Sequence, residues 1–248
     1  MTSSAQPERT DVDREKGALR RLVWNRLEDA GVVEPGVHGY IPDFEGADAA
    51  ARRLAGLKVW TTASVVKAVP DAAQRPVRAL ALLAGKLVYM AVPRLAESRP
   101  FLLLDPAVLP GPLDAAADRH EAARLAKPVD VGQMPAVDLV VTGSVAVDPS
   151  GARLGKGAGY GDIEVALLTE AGVIGDKTTI VTTVHDLQVV DTAVPEAGHD
   201  FHVDLIITPT RVIKTSTRKR PPGIDWAVLP ASMIREIPVL AARRATGP

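Results

Sequence analysis

Gly151-Ala-Arg153-Leu-Gly155-Lys156-Gly157-Ala-Gly159-Tyr160-Gly161-Asp162-Ile-Glu164 is the stretch whose reading decides the fold. Its glycines at 155, 157, 159 and 161 alternate with other residues. An apolar run over residues 137–147 precedes it, and a helix-like pattern over 163–171 follows. Strand, glycine loop and helix in that order suit a phosphate. Glycine lets backbone N–H groups approach an anion, and the helix N-terminus adds partial positive charge. Alternating glycines at this density exceed what a tight turn needs, and each carries an entropic cost. The stretch therefore reads as a nucleotide-phosphate cradle, with Arg153 and Lys156 as its cations. Spacing removes two familiar variants. There is no Gly-x-x-x-x-Gly-Lys-Ser/Thr. Gly-x-Gly-x-x-Gly also fails, because Tyr160 or Asp162 stands where its last glycine would fall. Asp162 is placed to cap the helix or to hold Mg²⁺ beside the phosphates.

Outward from the loop, apolar segments alternate with helical patterns. Strands are expected over 57–61, 87–92, 101–104, 137–147 (one long strand, or two with a kink at Gly143), 178–184, 203–208 and 211–214. Helices are expected over 12–30, 47–54, 76–83, 115–126 (capped by Asp114), 163–171 and 231–237. This alternation predicts an α/β fold whose mostly parallel sheet is covered on both faces. In the first helix Leu19, Leu22, Val23 and Leu27 share a face, and Lys16 and Arg20 lie together at its edge. Residues 1–10 read as a disordered tail, and residues 11–248 as one domain.

Composition bounds the chemistry. The 248 residues are 46% hydrophobic and 24% charged, as in a globular chain long enough for a sizeable core. A formal net charge of −1 gives no basic field, so nucleic acid is not expected as a partner. The absence of cysteine excludes thiolate metal sites and cysteine nucleophiles. No apolar run is long enough to span a membrane, and the expected location is cytoplasmic. His199, Asp200, His202 and Asp204 lie close in sequence, but paired histidines in a loop are weak evidence for Zn²⁺. No Gly-x-Ser-x-Gly elbow is present, so covalent catalysis by the chain is not expected.

These residues resemble the 5-formyltetrahydrofolate cyclo-ligase family. Arg153-Leu-Gly-Lys156-Gly-Ala-Gly-Tyr160-Gly-Asp162 is similar to its Arg/Lys-Gly-x-Gly-Tyr-Tyr-Asp signature. Lys16-Gly-Ala-Leu-Arg20 is similar to its N-terminal Lys-x-x-Leu-Arg. Val194-Pro195 through His199-Asp200 to Val203-Asp204 is similar to its late Val-Pro…Asp-x-x-Val-Asp segment. The resemblance implies a three-layer α/β/α sandwich of the NagB/RpiA/CoA-transferase type. It also implies ATP- and Mg²⁺-dependent conversion of 5-formyltetrahydrofolate to 5,10-methenyltetrahydrofolate through a phosphorylated formyl group. On that basis Lys16, Arg20, Arg153, Lys156 and the backbone of Gly155, Gly157, Gly159 and Gly161 hold phosphates. Tyr160 flanks the substrate, Lys156 and Tyr160 serve the chemistry, and Asp162 and Asp204 serve Mg²⁺. The chain would act as a monomer or homodimer on a small-molecule substrate.

Three departures stand out. Gly161 replaces the signature's second Tyr, and Ile163 replaces a common Arg. The family's early Tyr…Glu segment has no clean match; Gly39-Tyr40-Ile-Pro-Asp43-Phe-Glu45-Gly46 instead resembles the subgroup of synthetase-domain-containing proteins. Two alternatives stay open: the same chemistry on another formamide or carboxylate, or a nucleotide- or folate-binding regulatory protein without turnover.

Overall fold

The computed structural model describes residues 5–246, with side chains described for 11–245. Its strands are β1 (Val65–Ala68), β2 (Leu87–Ala91), β3 (Phe101–Leu104), β4 (Lys127–Val129), β5 (Leu139–Thr142), β6 (Ala146–Val147), β7 (Arg153–Leu154), β8 (Thr179–Thr183), β9 (Leu205–Ile207) and β10 (Val212–Lys214). The helices are α1 (Ala5–Asp29), α2 (Ala47–Ala55), α3 (Lys58–Thr62), α4 (Arg75–Leu83), α5 (Arg119–Leu125), α6 (Tyr160–Glu170), α7 (Ala231–Glu236) and α8 (Pro238–Thr246).

Eight strands form one sheet in the order β10-β9-β8-β5-β1-β2-β3-β4. The stretch from β2 through β1, β5 and β8 to β9 is parallel. Antiparallel pairs finish both edges. Alternation along the strands splits the side chains between two cores. Val66, Ala68, Val88, Met90, Leu139 and Val141 pack with α2 to α5. Tyr89, Ala91, Val140, Ile180 and Ile206 pack with α6 to α8. The result is the expected α/β/α layering. β6 and β7 form a separate antiparallel pair outside the sheet. Val23, Trp24 and Leu27 of α1 close over it against Val145, Ala146 and Leu154.

The order of the strands positions the site. From β1 the chain steps to β2 on one side, and later to β5, β8 and β9 on the other. Between β1 and β5 the direction of winding reverses. In open α/β sheets a ligand crevice forms there, beyond the carboxyl ends of the strands.

Several expectations are corrected. Residues 57–61 lie not in a strand but at α3, and the strand is β1, eight residues later at its start. A short apolar run does not distinguish the two, and Lys67 interrupts the apolar pattern of β1. The run over 137–147 takes the second of its two expected forms, two strands parted at Gly143, Ser144 and Val145. A side chain at Gly143 would meet Ile41 at 2.8 Å, so glycine permits the close approach of Ile41 at the break. The 115–126 helix is a short 3₁₀ turn followed by α5. Asp118, not Asp114, caps α5 by accepting the N–H groups of His120 and Glu121. Residues 127–129 form an unforeseen edge strand, and the chain beyond 237 continues as α8. Helix α1 already runs at Ala5, inside the stretch expected to be a tail, where Ala, Gln, Glu and Arg supply helix propensity. Residues 1–4 lie outside the described residues. Leu22, placed on the apolar face of α1, is 54% exposed, and Trp24 is buried instead.

Candidate functional site

A cleft of about 770 Å³ opens at the reversal of the sheet. Its floor and one wall come from strand ends: Val69, Pro70 and Asp71 after β1, Val92, Pro93 and Arg94 after β2, and Thr142 and Gly143 at β5. The other wall is the glycine loop, with Asp13, Lys16 and Arg20 of α1 above it.

The loop owes its shape to glycine at specific points. Gly157 has φ 108° and Gly159 has φ 73°, both in the left-handed region that disfavours side chains. At Gly155 a side chain would stand 2.4 Å from an Arg153 nitrogen. Gly159 caps α6, which begins at Tyr160, three residues before the expected start. Asp162 is therefore not the cap. It lies in the first turn, where a carboxylate still favours the helix dipole.

The predicted cations converge. Arg20 donates its Nε to the Gly155 carbonyl at 2.7 Å. Burial first, and then the nearby Arg153 charge, lower the Arg20 pKa. Arg153 is buried beneath the loop and stacks on Phe201, 4.8 Å from its ring. One Arg153 Nη lies 3.4 Å from an Asp162 oxygen, while its buried Nε has no partner among the described residues. Lys16 donates to Asp200 at 2.5 Å, a pair buried on both sides. Lys156 reaches across the cleft to Asp71 at 3.2 Å. Tyr160 lines the cleft at the helix start.

The two predicted metal carboxylates part company. Asp162 lines the cleft. Burial raises its pKa, opposed by Arg153 and reinforced by Asp200. Asp204 does not reach the cleft. It precedes β9, at the edge where the parallel strands begin, whereas the cleft lies where they end. There it accepts Arg220 at 2.5 Å and the Ile180 N–H at 2.7 Å. Its place beside Asp162 is taken by Asp200, four residues earlier, which lines the cleft. Burial alone would raise the Asp200 pKa, but Lys16 and the Ala197 N–H turn the net shift downward. Among the described residues no three His, Cys, Asp or Glu side chains group as a metal cage. The buried His202 pairs with Glu196 at 2.7 Å, which gives the Zn²⁺ reading no support.

Sequence reasoning missed four contributors. Asp71, between Pro70 and Ala72, looks like an ordinary turn residue. Glu164 lines the cleft and pairs with Lys67, which projects from the middle of β1. Both are buried, 97 residues apart in sequence. Arg78, also buried, donates to the carbonyls of Val69, Asp71 and Ala117. Burial pushes its pKa down to about 10, and the side chain pins the loop after β1. For Lys67, Arg78 and Glu164 a buried charge that breaks an apolar pattern was the available signal.

Residues 3–209 match the 5-formyltetrahydrofolate cyclo-ligase family. A methenyltetrahydrofolate synthase domain-containing protein of Mus musculus is 39% identical over 235 residues, covering 91% of this chain and 62% of the relative. The Homo sapiens protein of the same description is 36% identical over 240 residues, covering 93% and 61%. The chain thus spans a little over three fifths of the length of the curated relatives it matches. The NMR structure of 5,10-methenyltetrahydrofolate synthetase from Aquifex aeolicus superposes with a TM-score of 0.52 at 19% identity, covering 85% of this chain and 98% of that one. That likeness supports the fold. Among the described residues, no helix is long and apolar enough to cross a membrane.

Proposed function

The chain belongs to the 5-formyltetrahydrofolate cyclo-ligase family, and on that premise we propose that it uses ATP and Mg²⁺ to close 5-formyltetrahydrofolate to 5,10-methenyltetrahydrofolate. The observation that carries this reading is the convergence of Lys16, Arg20, Arg153 and Lys156 on one glycine loop at the reversal of the sheet. Elements more than a hundred residues apart meet there to line one cleft.

The nucleotide phosphates would lie along Gly155 to Gly161, with the first N–H groups of α6 directed at them. Arg153 tests the fit. A buried guanidinium with an unpartnered Nε, set under a loop kept open by glycine, has donor capacity for an anion. Lys156, now held by Asp71, is partly exposed and can turn to a phosphate without unfolding anything. Asp162 and Asp200 would serve Mg²⁺. The ion takes one or two carboxylates together with phosphate oxygens, so a full protein cage is not needed. Mg²⁺ supplies neutralisation of phosphate charge during transfer. Tyr160 at the head of α6 would pack against the second substrate.

A second reading keeps this chemistry but changes the substrate. Gly161 and Ile163, which depart from the family signature, motivate it. One assay separates the readings: purified protein with 5-formyltetrahydrofolate, ATP and Mg²⁺, followed by methenyl absorbance and ADP release. The first reading expects both signals together. ADP release only with other formamides or carboxylates supports the second. ATP binding without ADP release from any of them would contradict both, and leave a binding protein.

A further inference from the structure

The cleft contains two cations that the phosphate reading does not use, and each sits where local physics disfavours it. Arg94 has φ 59° and ψ 14°, and the next residue, Leu95, has φ 52°. A left-handed conformation costs an L-residue roughly 1–2 kcal/mol. Glycine or asparagine would fit the turn with less strain. The turn is nonetheless fixed. Leu95 is fully buried, and its N–H donates to the Val92 carbonyl at 3.0 Å. The buried anchor holds Arg94 on the cleft wall, exposed and without an acidic partner among the described residues.

Arg119 is the first residue of α5, where a positive charge opposes the helix dipole. Its polar contact is the neighbouring His120 ring, at 3.1 Å. It too lines the cleft. Arg78 ties the carbonyl of Ala117, two residues before Arg119, to the loop after β1. This rim is therefore braced.

The acids offer no explanation. Lys16 holds Asp200, Arg153 faces Asp162, Lys156 holds Asp71, and Lys67 holds Glu164. Asp13, the remaining acid of the cleft, is on α1, where it acts on Arg20. Two departures from local preference that meet at one cleft mark function more than folding.

We propose that Arg94 and Arg119 form a second anion site, on the strand-end wall across from the glycine loop, and that it takes the carboxylate end of the second substrate. Guanidinium suits a carboxylate because its planar fork donates in pairs. The proposal rests on the reading above for the substrate's identity: in 5-formyltetrahydrofolate the carboxylates are those of the glutamate tail. It makes these arginines specificity residues with no part in ATP binding.

The test uses calorimetry on the wild type, R94G, and the R94Q/R119Q double variant. Three probes are titrated: ATP with Mg²⁺, 5-formyltetrahydrofolate, and N-(4-aminobenzoyl)glutamate, which carries the tail without the formyl-bearing ring. The double variant is expected to lose at least tenfold affinity for both tailed probes and to keep its ATP affinity. R94G is expected to melt no lower than the wild type, since glycine relieves the turn, while still losing tail affinity. Loss of ATP affinity in the double variant would assign the arginines to the nucleotide and overturn the proposal. So would equal binding of the aminobenzoyl probe to wild type and double variant, or no binding of it to either. If that probe binds through the arginines but 5-formyltetrahydrofolate does not bind the wild type, the folate reading falls and the anion site stands.

Discussion

The two walls of the cleft are built on different plans. The glycine-loop wall is a local device. Arg153 to Asp162 bring the glycines, two cations and a carboxylate within ten residues, and its charges are largely neutralised by neighbours. The strand-end wall is a distributed device. Asp71 follows β1, Arg94 follows β2, Arg119 opens α5, and Arg78 ties two of these loops together. The first wall carries open backbone for an anion whose shape is always the same. The second carries side chains from separate elements, one of them on the strained backbone of Arg94, which suits the proposed second substrate. The difference teaches where to look for chemistry. A phosphate cradle concentrates in one stretch, whereas recognition of a second substrate is assembled from the ends of many elements.

Two ion pairs join the walls: Lys67 to Glu164 inside, and Lys156 to Asp71 at the mouth. Breaking the inner one should have the largest effect. K67M leaves the Glu164 carboxylate buried and uncompensated, and should cost about 3–5 kcal/mol of stability in urea titration. K67M/E164L should recover most of that, because an apolar pair of similar volume removes the stranded charge. A single variant as stable as the wild type would mean that the pair does not join the walls.

Breaking the outer pair should leave stability almost unchanged, since a partly exposed ion pair is worth about 0–1 kcal/mol. K156A should still weaken ATP binding about tenfold or more by calorimetry, because a charge-assisted phosphate contact is worth about 1.5–3 kcal/mol. A variant that loses stability but keeps its ATP affinity would assign Lys156 to the architecture and not to the ligand.

This contrast also explains what was legible in the sequence. The glycine loop, its cations and the strands around it were readable because their signal is contiguous. Lys16 and Arg20 were readable as a pair at helical spacing. β1 was missed, although it is central, because Lys67 in its middle looks like an exit from the core. Its partner Glu164 lies on a helix that forms only later in the chain. Asp204 was misplaced for a topological reason. The start of a strand looks alike in sequence whichever end of the sheet it occupies, and only the parallel order of β8 and β9 puts it opposite the cleft. Arg94 could not be read at all, because a positive φ at arginine has no sequence signature.

The central claim is that the glycine-loop wall binds ATP with Mg²⁺ held by Asp162 and Asp200. The most direct measurement is ATP affinity with and without Mg²⁺ in the wild type, D162N, D200N and D204N. The account predicts that Mg²⁺ tightens ATP binding in the wild type and equally in D204N, and that the gain is largely lost in D162N and D200N. No ATP binding by the wild type, or a Mg²⁺ effect that survives in D162N and D200N but disappears in D204N, would contradict it.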